Sequence, residues 1–296
     1  MTATRPSLLR VWVSAARPAT LLACVVPVIV GVGLAAAQGE VNPWLTSVIL
    51  LSSGFIQIGT NFYNDYADFK RGADTDERLG PARATQKGWL TPNAVATGAK
   101  VSFGLAVLFG AILVYSAGWP ILAIGLSGVL CGVAYTGGPY PLAYNGLGEL
   151  FVFLFFGVAA VVGTVFVLTG TVTVAAAIAA VSIGLLATAI LVVNNLRDRH
   201  TDAKAGKRTM AVRLGATGTR LEYTAVVLGA YLVVAMAPLL GVGSWFWLLA
   251  WISLPVAMVE IRALWRKDGA ALNPHLGGAA RLELVFGVLL AVGVAL

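Results

Sequence analysis

Residues 172–195 read VTVAAAIAAVSIGLLATAILVVNN, a run without a single charged side chain. Roughly 20 apolar residues suffice for one helix to cross a bilayer. The run ends in two asparagines, and the polar segment LRDRHTDAKAGKR follows at residues 196–208. The sequence therefore predicts a membrane-spanning helix that ends in a charged segment at one membrane surface.

The rest of the chain has the same apolar character. Of its 296 residues, 58% are hydrophobic and only 11% are charged, and the mean hydropathy is +0.86. A soluble domain cannot bury so much apolar surface, so we predict an all-α polytopic membrane protein with about nine transmembrane helices, folded as one domain over residues 1–296. The predicted helices are 20–37, 43–63, 92–116, 120–135, 147–169, 172–195, 221–241, 245–264 and 280–296.

Basic residues alternate between the predicted loops. The N-terminal tail and the loops after the second, sixth and eighth helices hold nearly all Lys and Arg, whereas the loops near Gly39, Gly118, Gly170 and Gly243 hold none. The positive-inside rule therefore predicts a multi-pass protein with a cytosolic N-terminus, and an odd helix number places the C-terminus on the opposite side. The net charge of +7 follows from this topology, and we expect no nucleic-acid partner. We also expect the first helix to be retained rather than cleaved as a signal peptide.

Two aspartate-rich segments follow the second and sixth predicted helices and together hold seven of the thirteen acidic residues. If the sixth helix continues, Asn194, Asp198 and Asp202 are spaced i, i+4, i+8 and share one face. Mg²⁺ prefers hard oxygen ligands and commonly combines one or two carboxylates with phosphate oxygens. The segments therefore predict a Mg²⁺-dependent diphosphate site, although solvated loop acids are an alternative. The candidate metal ligands are Asn64, Asp65, Asp68, Asp74, Asn194, Asp198 and Asp202.

Basic residues follow each acidic segment. Arg binds phosphate through a bidentate fork and Lys binds it as a point charge, so these residues are candidates for diphosphate binding. The alternative is that they only set the membrane topology. The candidates are Arg78, Arg83, Lys87, Lys207 and Arg208.

The uncharged loop after the fourth predicted helix contains Tyr135 and Tyr140. Tyrosine rings beside a diphosphate site can shield a developing carbocation, although Tyr also anchors helices at membrane interfaces. Glu149 lies just inside the fifth predicted helix, where an ionisable side chain is costly enough to suggest a role as a cation ligand or a base. Reaching back to the interface is the alternative role for Glu149.

The two acidic segments also suggest a weak internal repeat. Asp65 and Asp198 are 133 residues apart, and both segments begin with Asn and end in a basic loop. We therefore expect helices 1–4 and 5–8 to be related, with a ninth helix added, and the site to lie where the two units meet.

At this point the residues resemble a known family. Residues 64–68 and 198–202 resemble the two aspartate motifs of the UbiA superfamily of intramembrane aromatic prenyltransferases. Within it, residues 64–74, 80–88 and 194–209 are similar to the 1,4-dihydroxy-2-naphthoate polyprenyltransferases of menaquinone synthesis. The family's first motif often has a third Asp four residues after Asp68, where this chain has Gly72.

The resemblance implies an enzyme of the cell membrane with a UbiA-type helical bundle and cytosolic active-site loops. It implies that Asp65, Asp68, Asp198 and Asp202 are catalytic and hold Mg²⁺ ions that bind a polyprenyl diphosphate. The prenyl group is then transferred to 1,4-dihydroxy-2-naphthoate with loss of CO₂ and diphosphate, which gives demethylmenaquinone. We expect the aromatic acceptor or the carbocation to contact Tyr135, Tyr140, Asn195 and Glu149.

Two alternatives stay open. The first is a prenyltransferase with another acceptor, such as 4-hydroxybenzoate, haem, a chlorophyll precursor or a sugar phosphate. The second is a transporter, although transporter sites usually lie near the bilayer midplane, whereas these acids follow the predicted ends of helices.

Overall fold

The computed structural model describes residues 6–73 and 78–296, and all regular structure within these ranges is helical. The helices are α1 (Leu8–Ala16), α2 (Pro18–Ala36), α3 (Pro43–Lys70), α4 (Pro92–Ala117), α5 (Trp119–Ala134), α6 (Gly148–Val152), α7 (Ala160–Thr169), α8 (Val174–Lys204), α9 (Met210–Leu239), α10 (Leu254–Arg266) and α11 (Asn273–Ala295). A π-helical turn, Phe153–Ala159, joins α6 to α7, and 3₁₀ turns lie at Ala143–Asn145, Trp245–Ser253 and Gly269–Leu272.

Seven helical segments in the described part of the chain are long and apolar enough to cross a membrane. The pair α1 and α2, bent by 55°, supplies an eighth candidate, and α5 is a shorter apolar helix of 16 residues. Each of the nine predicted helices overlaps one of these segments. The predicted all-α polytopic fold is therefore confirmed.

Local sequence signals explain where the long helices begin. Asn42, Thr91, Thr173 and Thr209 are N-caps, and each side chain accepts a hydrogen bond from a backbone N–H in the first turn. Such caps satisfy a donor that would otherwise have no partner at the helix start. Proline occupies the first turn of α2, α3 and α4, where its missing N–H costs nothing.

Several predicted boundaries are wrong by one to three turns. The helix predicted to end at residue 63 continues to Lys70, and the one predicted to end at 195 continues to Lys204. The first acidic segment is thus helical as far as Lys70, and the second is helical as far as Lys204. α9 begins at Met210 rather than 221, with a break at Gly215, and α11 begins at Asn273 rather than 280.

The amphipathic helix α1 was not predicted. Val11 and Ala15 are buried against residues of α3 and α4, whereas Leu8, Leu9 and Val13 are exposed. A helix with one buried and one exposed apolar side is typical of a segment that lies in a membrane interface. It was missed because it is too short to span a bilayer.

α8 lies at the centre of the bundle, and its small residues allow neighbouring backbones to approach. A Cβ on Gly157 would lie 2.5 Å from the Cα of Gly184, so a side chain at this crossing would force the π-helical turn away from α8. Small residues at helix crossings are a common means of helix association in membranes. This packing fixes α8 beside a cavity.

Candidate active site

One cavity of about 870 Å³ extends between α2, α3, α4, α5, α8 and the segment Gly148–Thr169. Its polar end lies where α3 and α8 end, and both acidic segments line it. The rest of the wall is largely apolar and includes Val28, Ile49, Leu113, Ile121 and Val167. The residues that line the polar end include Arg17, Asn64, Asp65, Asp68, Arg78, Arg83, Tyr135, Asn194, Asn195, Arg197, Asp198, Asp202 and Lys207.

Asp65 is held by the loop that precedes α4. Its carboxylate accepts hydrogen bonds from the hydroxyl of Thr85 and, at 3.1 Å, from the backbone N–H of Ala84. Asn64, one residue earlier on α3, accepts a hydrogen bond of 2.8 Å from the Thr136 hydroxyl. Each of these side chains is buried. The loop therefore fixes the orientation of the first acidic segment.

Asp68 is the most heavily contacted of the four carboxylates. Oδ2 lies 2.7 Å from Nη2 of Arg83 and 3.3 Å from Nζ of Lys207, and Oδ1 accepts a hydrogen bond of 2.8 Å from Tyr144. Burial, together with the charge of Asp68, raises the pKa of Tyr144 above its ordinary value, so the phenol stays a neutral donor. The segments that precede α4, precede α6 and follow α8 thus all contact the buried carboxylate of Asp68.

In the second segment, Arg197 holds Asn194 and Asp198. Its guanidinium donates to both carboxylate oxygens of Asp198 at 2.8 and 2.6 Å, and to Oδ1 of Asn194 at 2.6 Å. It also donates to Asn273 at the start of α11 at 3.1 Å. Asp202 lies one turn further along α8, and no hydrogen bond from a described residue reaches its carboxylate.

A second polar group lies between α6 and α8, and of its two members Asn195 lines the cavity whereas Glu149 does not. Nδ2 of Asn195 donates to Oε1 of Glu149 at 2.8 Å, whereas the buried Oε2 has no hydrogen-bond partner among the described residues. Tyr135 faces the same cavity. Burial, and then the charge of Glu149, raises the pKa of this tyrosine.

Some predicted site residues lie elsewhere. Lys87, Arg208 and Tyr140 are exposed, and their side chains do not line the cavity. The backbone N–H of Arg208 instead donates to the carbonyl of Tyr144 at 2.8 Å. Asp74 lies outside the described residues.

Four residues of the polar end were missed in the sequence: Arg17, Thr85, Tyr144 and Arg197. Arg197 has a signal in its spacing, because it is three residues after Asn194 and next to Asp198 on one helix. Thr85 lies inside the segment 80–88 that was already singled out. Arg17 and Tyr144 have no local signal, since only the fold brings them to the acidic segments.

The donor set fits Mg²⁺ by its chemistry. The available ligands are carboxylate and amide oxygens, which this hard cation prefers. In the described part of the chain, no three Asp, Glu, His or Cys side chains converge as a complete cage. An all-protein cage is not required, since Mg²⁺ commonly keeps water and takes substrate phosphate oxygens as ligands. Arg83, Lys207 and Arg197 balance the acidic charge in this structure.

Comparisons with known proteins agree with this description. The profile of the UbiA prenyltransferase family matches residues 24–278. The 1,4-dihydroxy-2-naphthoate octaprenyltransferase of Escherichia coli is 34% identical, over 99% of this chain and 98% of that protein. The enzyme of the same name from Mycobacterium tuberculosis is 43% identical over 72% of each chain. A solved UbiA homologue from Archaeoglobus fulgidus, bound to DMAPP and Mg²⁺, superposes with a TM-score of 0.64 at 15% identity, over 95% of this chain and 99% of that one.

Proposed function

The chain belongs to the UbiA prenyltransferase family, and from that premise we propose that it transfers a polyprenyl group from polyprenyl diphosphate to 1,4-dihydroxy-2-naphthoate. The observation that carries this proposal is the division of the cavity. One end has four carboxylates beside basic side chains, and the remaining wall is largely apolar. A prenyl diphosphate has the same division between a charged head and a hydrocarbon tail.

Mg²⁺ would be held by the carboxylates of Asp65, Asp68, Asp198 and Asp202 and by the amide oxygens of Asn64 and Asn194. When bound, Mg²⁺ supplies charge neutralisation that makes diphosphate a better leaving group. Arg83 and Lys207, which contact Asp68, would bind phosphate oxygens directly. Arg78 lines the same end of the cavity and adds positive charge there.

The protein's other contribution is to orient the reactants and exclude water. The allylic C–O bond breaks, and diphosphate leaves with the electron pair. The carboxylate-bearing carbon of the acceptor ring forms the new C–C bond, and loss of CO₂ returns an electron pair to the ring. The product is the demethylmenaquinone skeleton in its hydroquinone form. The apolar wall keeps water from the cation, and the ring of Tyr135 offers a negative face to it.

We also propose the topology that the basic residues predict. Lys70, Lys204 and Lys207 lie at the same end of the bundle as the acidic segments, and the positive-inside rule makes this end cytosolic. A water-soluble acceptor and the diphosphate product would then enter and leave on the cytosolic side.

The proposal is tested with the full chain in membranes, supplied with Mg²⁺, labelled polyprenyl diphosphate and either 1,4-dihydroxy-2-naphthoate or 4-hydroxybenzoate. We expect product with the naphthoate only, and none after EDTA treatment. Asp65→Asn and Asp198→Asn are expected to abolish diphosphate release, whereas the exposed Glu40→Gln serves as the matched control. Product with 4-hydroxybenzoate alone would support prenyl transfer but would show that the naphthoate is not the acceptor. A lack of diphosphate release would favour a transporter.

A further inference from the structure

Arg17 connects α1 to α2 in a conformation that L-residues rarely adopt. Its backbone has φ 55° and ψ 72°, and it is the single non-glycine residue of the described chain with positive φ. Left-handed backbone in a non-glycine residue is unfavourable and persists where the surroundings impose it. Its side chain lines the polar end of the cavity.

The surroundings that impose this conformation lie on α3. Asn61 donates through Nδ2 to the carbonyl of Ala16 at 2.9 Å and to Oγ1 of Thr20 at 3.0 Å. The Thr20 hydroxyl in turn donates to the carbonyl of Arg17 at 2.9 Å. Asn61 is buried and lies one turn before Asp65 on the same helix face. The turn that carries Arg17 is therefore fixed to the helix face that carries the first acidic segment.

The guanidinium of Arg17 differs from the other cations in its contacts. Arg83 and Lys207 both bind Asp68, whereas no hydrogen bond joins the side chain of Arg17 to a described residue. The cavity that Arg17 lines is also lined by Asp65, Asp68, Arg78, Arg83 and Tyr135. Arg17 thus adds a planar fork of donors to the cavity that the first acidic segment and Tyr135 also line.

We propose that Arg17 binds the carboxylate of the aromatic acceptor and so selects acceptors that carry one. This inference rests on the proposed function and names the residue that recognises the acceptor. A guanidinium matches a carboxylate through two parallel hydrogen bonds, and the nearby Arg78 and Arg83 make an anion more favourable at this position. With its carboxylate on Arg17, the acceptor ring would extend toward Tyr135 and Asn195, which line the same cavity.

The test measures binding to the detergent-solubilised full chain by calorimetry, with 1-hydroxy-2-naphthoate and 1-naphthol as probes. The wild-type protein is expected to prefer the carboxylate. Arg17→Gln should weaken 1-hydroxy-2-naphthoate binding by about 10- to 100-fold, as expected for a lost charge-assisted hydrogen bond, and leave 1-naphthol unchanged. Arg17→Gly should behave alike while retaining the turn, because glycine favours positive φ. The exposed Arg10→Gln on α1 is the matched control.

A second titration, of farnesyl thiodiphosphate with Mg²⁺, separates this role from diphosphate binding. We expect the same affinity in the wild type and in both Arg17 variants. Equal naphthoate affinity in wild type and variants would overturn the role of Arg17 but leave the proposed function unaffected. Loss of thiodiphosphate affinity with naphthoate binding retained would assign Arg17 to the diphosphate instead. A wild-type protein that binds no naphthoate yet prenylates another acceptor would overturn the proposed function and this inference together.

Discussion

Lys207 and Asp68 are 139 residues apart in the chain and form an ion pair of 3.3 Å at the polar end of the cavity. The carboxylate is buried, and the ammonium group also lies 4.8 Å from the ring centre of Tyr144. This contact joins the loop after α8 to the last turns of α3. It places a cation from the second half of the chain directly over the first acidic segment.

We expect Lys207→Gln to raise the KM for prenyl diphosphate by about tenfold, because a phosphate ligand is lost in a partly buried setting. Lys100→Gln, an exposed position on α4 at the same end of the bundle, is the control for the change in net charge. Steady-state kinetics in detergent would measure both. An unchanged KM in Lys207→Gln would place the diphosphate away from Asp68.

Tyr144→Phe removes the donor to Asp68 and keeps the ring. We expect kcat/KM to fall by about tenfold, since one charge-assisted hydrogen bond is lost. Because burial raises the pKa of Tyr144 above 10.0, the wild-type phenol keeps its proton throughout the neutral range. The ratio of kcat/KM between wild type and variant should therefore be the same from pH 6 to pH 9. A ratio that varies across this range would mean that the tyrosine titrates.

Thr85→Val tests the attachment of the loop to α3. The hydroxyl donates to the buried Asp65, so its removal should lower the free energy of unfolding by about 1–3 kcal/mol. Thermal unfolding of the solubilised protein would measure this, with the exposed Thr97→Val on α4 as the matched substitution. Equal melting temperatures for the two variants would contradict the contact.

Gly125→Leu tests the apolar part of the cavity. A Cβ at Gly125 meets no other atom within 4 Å, and the residue lines the cavity, so a larger side chain can occupy space assigned to the prenyl tail. We expect the preference to shift toward shorter prenyl diphosphates. Gly104→Leu on α4 is the matched control, since its Cβ is equally unobstructed but lies outside the cavity. Chromatography of products from mixed chain lengths would decide, and the same shift in both variants would argue against this location for the tail.

The sequence predicted the fold and the main ligands for definite physical reasons. Apolar runs report membrane spans directly, and carboxylates are so scarce in this chain that two clusters at helix ends are conspicuous. Asp65, Asp68, Asp198 and Asp202 are therefore found by inspection, and the structure places all four on one cavity. Their roles as metal ligands stay a prediction, as does the repeat that relates helices 1–4 to helices 5–8.

The partners of these carboxylates could not be predicted in the same way. Tyr144 reaches Asp68 only through the fold, and its own neighbours in sequence resemble any interfacial loop. Lys87 and Arg208 show the opposite error. They are near the motifs in sequence, but the turns that carry them direct their side chains away from the cavity. Proximity in sequence identified the charged loops without identifying which charges reach the site.

The three segments that contact Asp68 are synthesised one after another. As the chain is translated, Arg83 is available soon after α3 has entered the membrane, and Tyr144 follows after α5. Lys207 emerges from the ribosome only after the central helix α8. A nascent chain that stops before α8 therefore contains one of the two cationic partners of Asp68. Late insertion of α8 makes this enzyme active only after most of its helices are already in the bilayer.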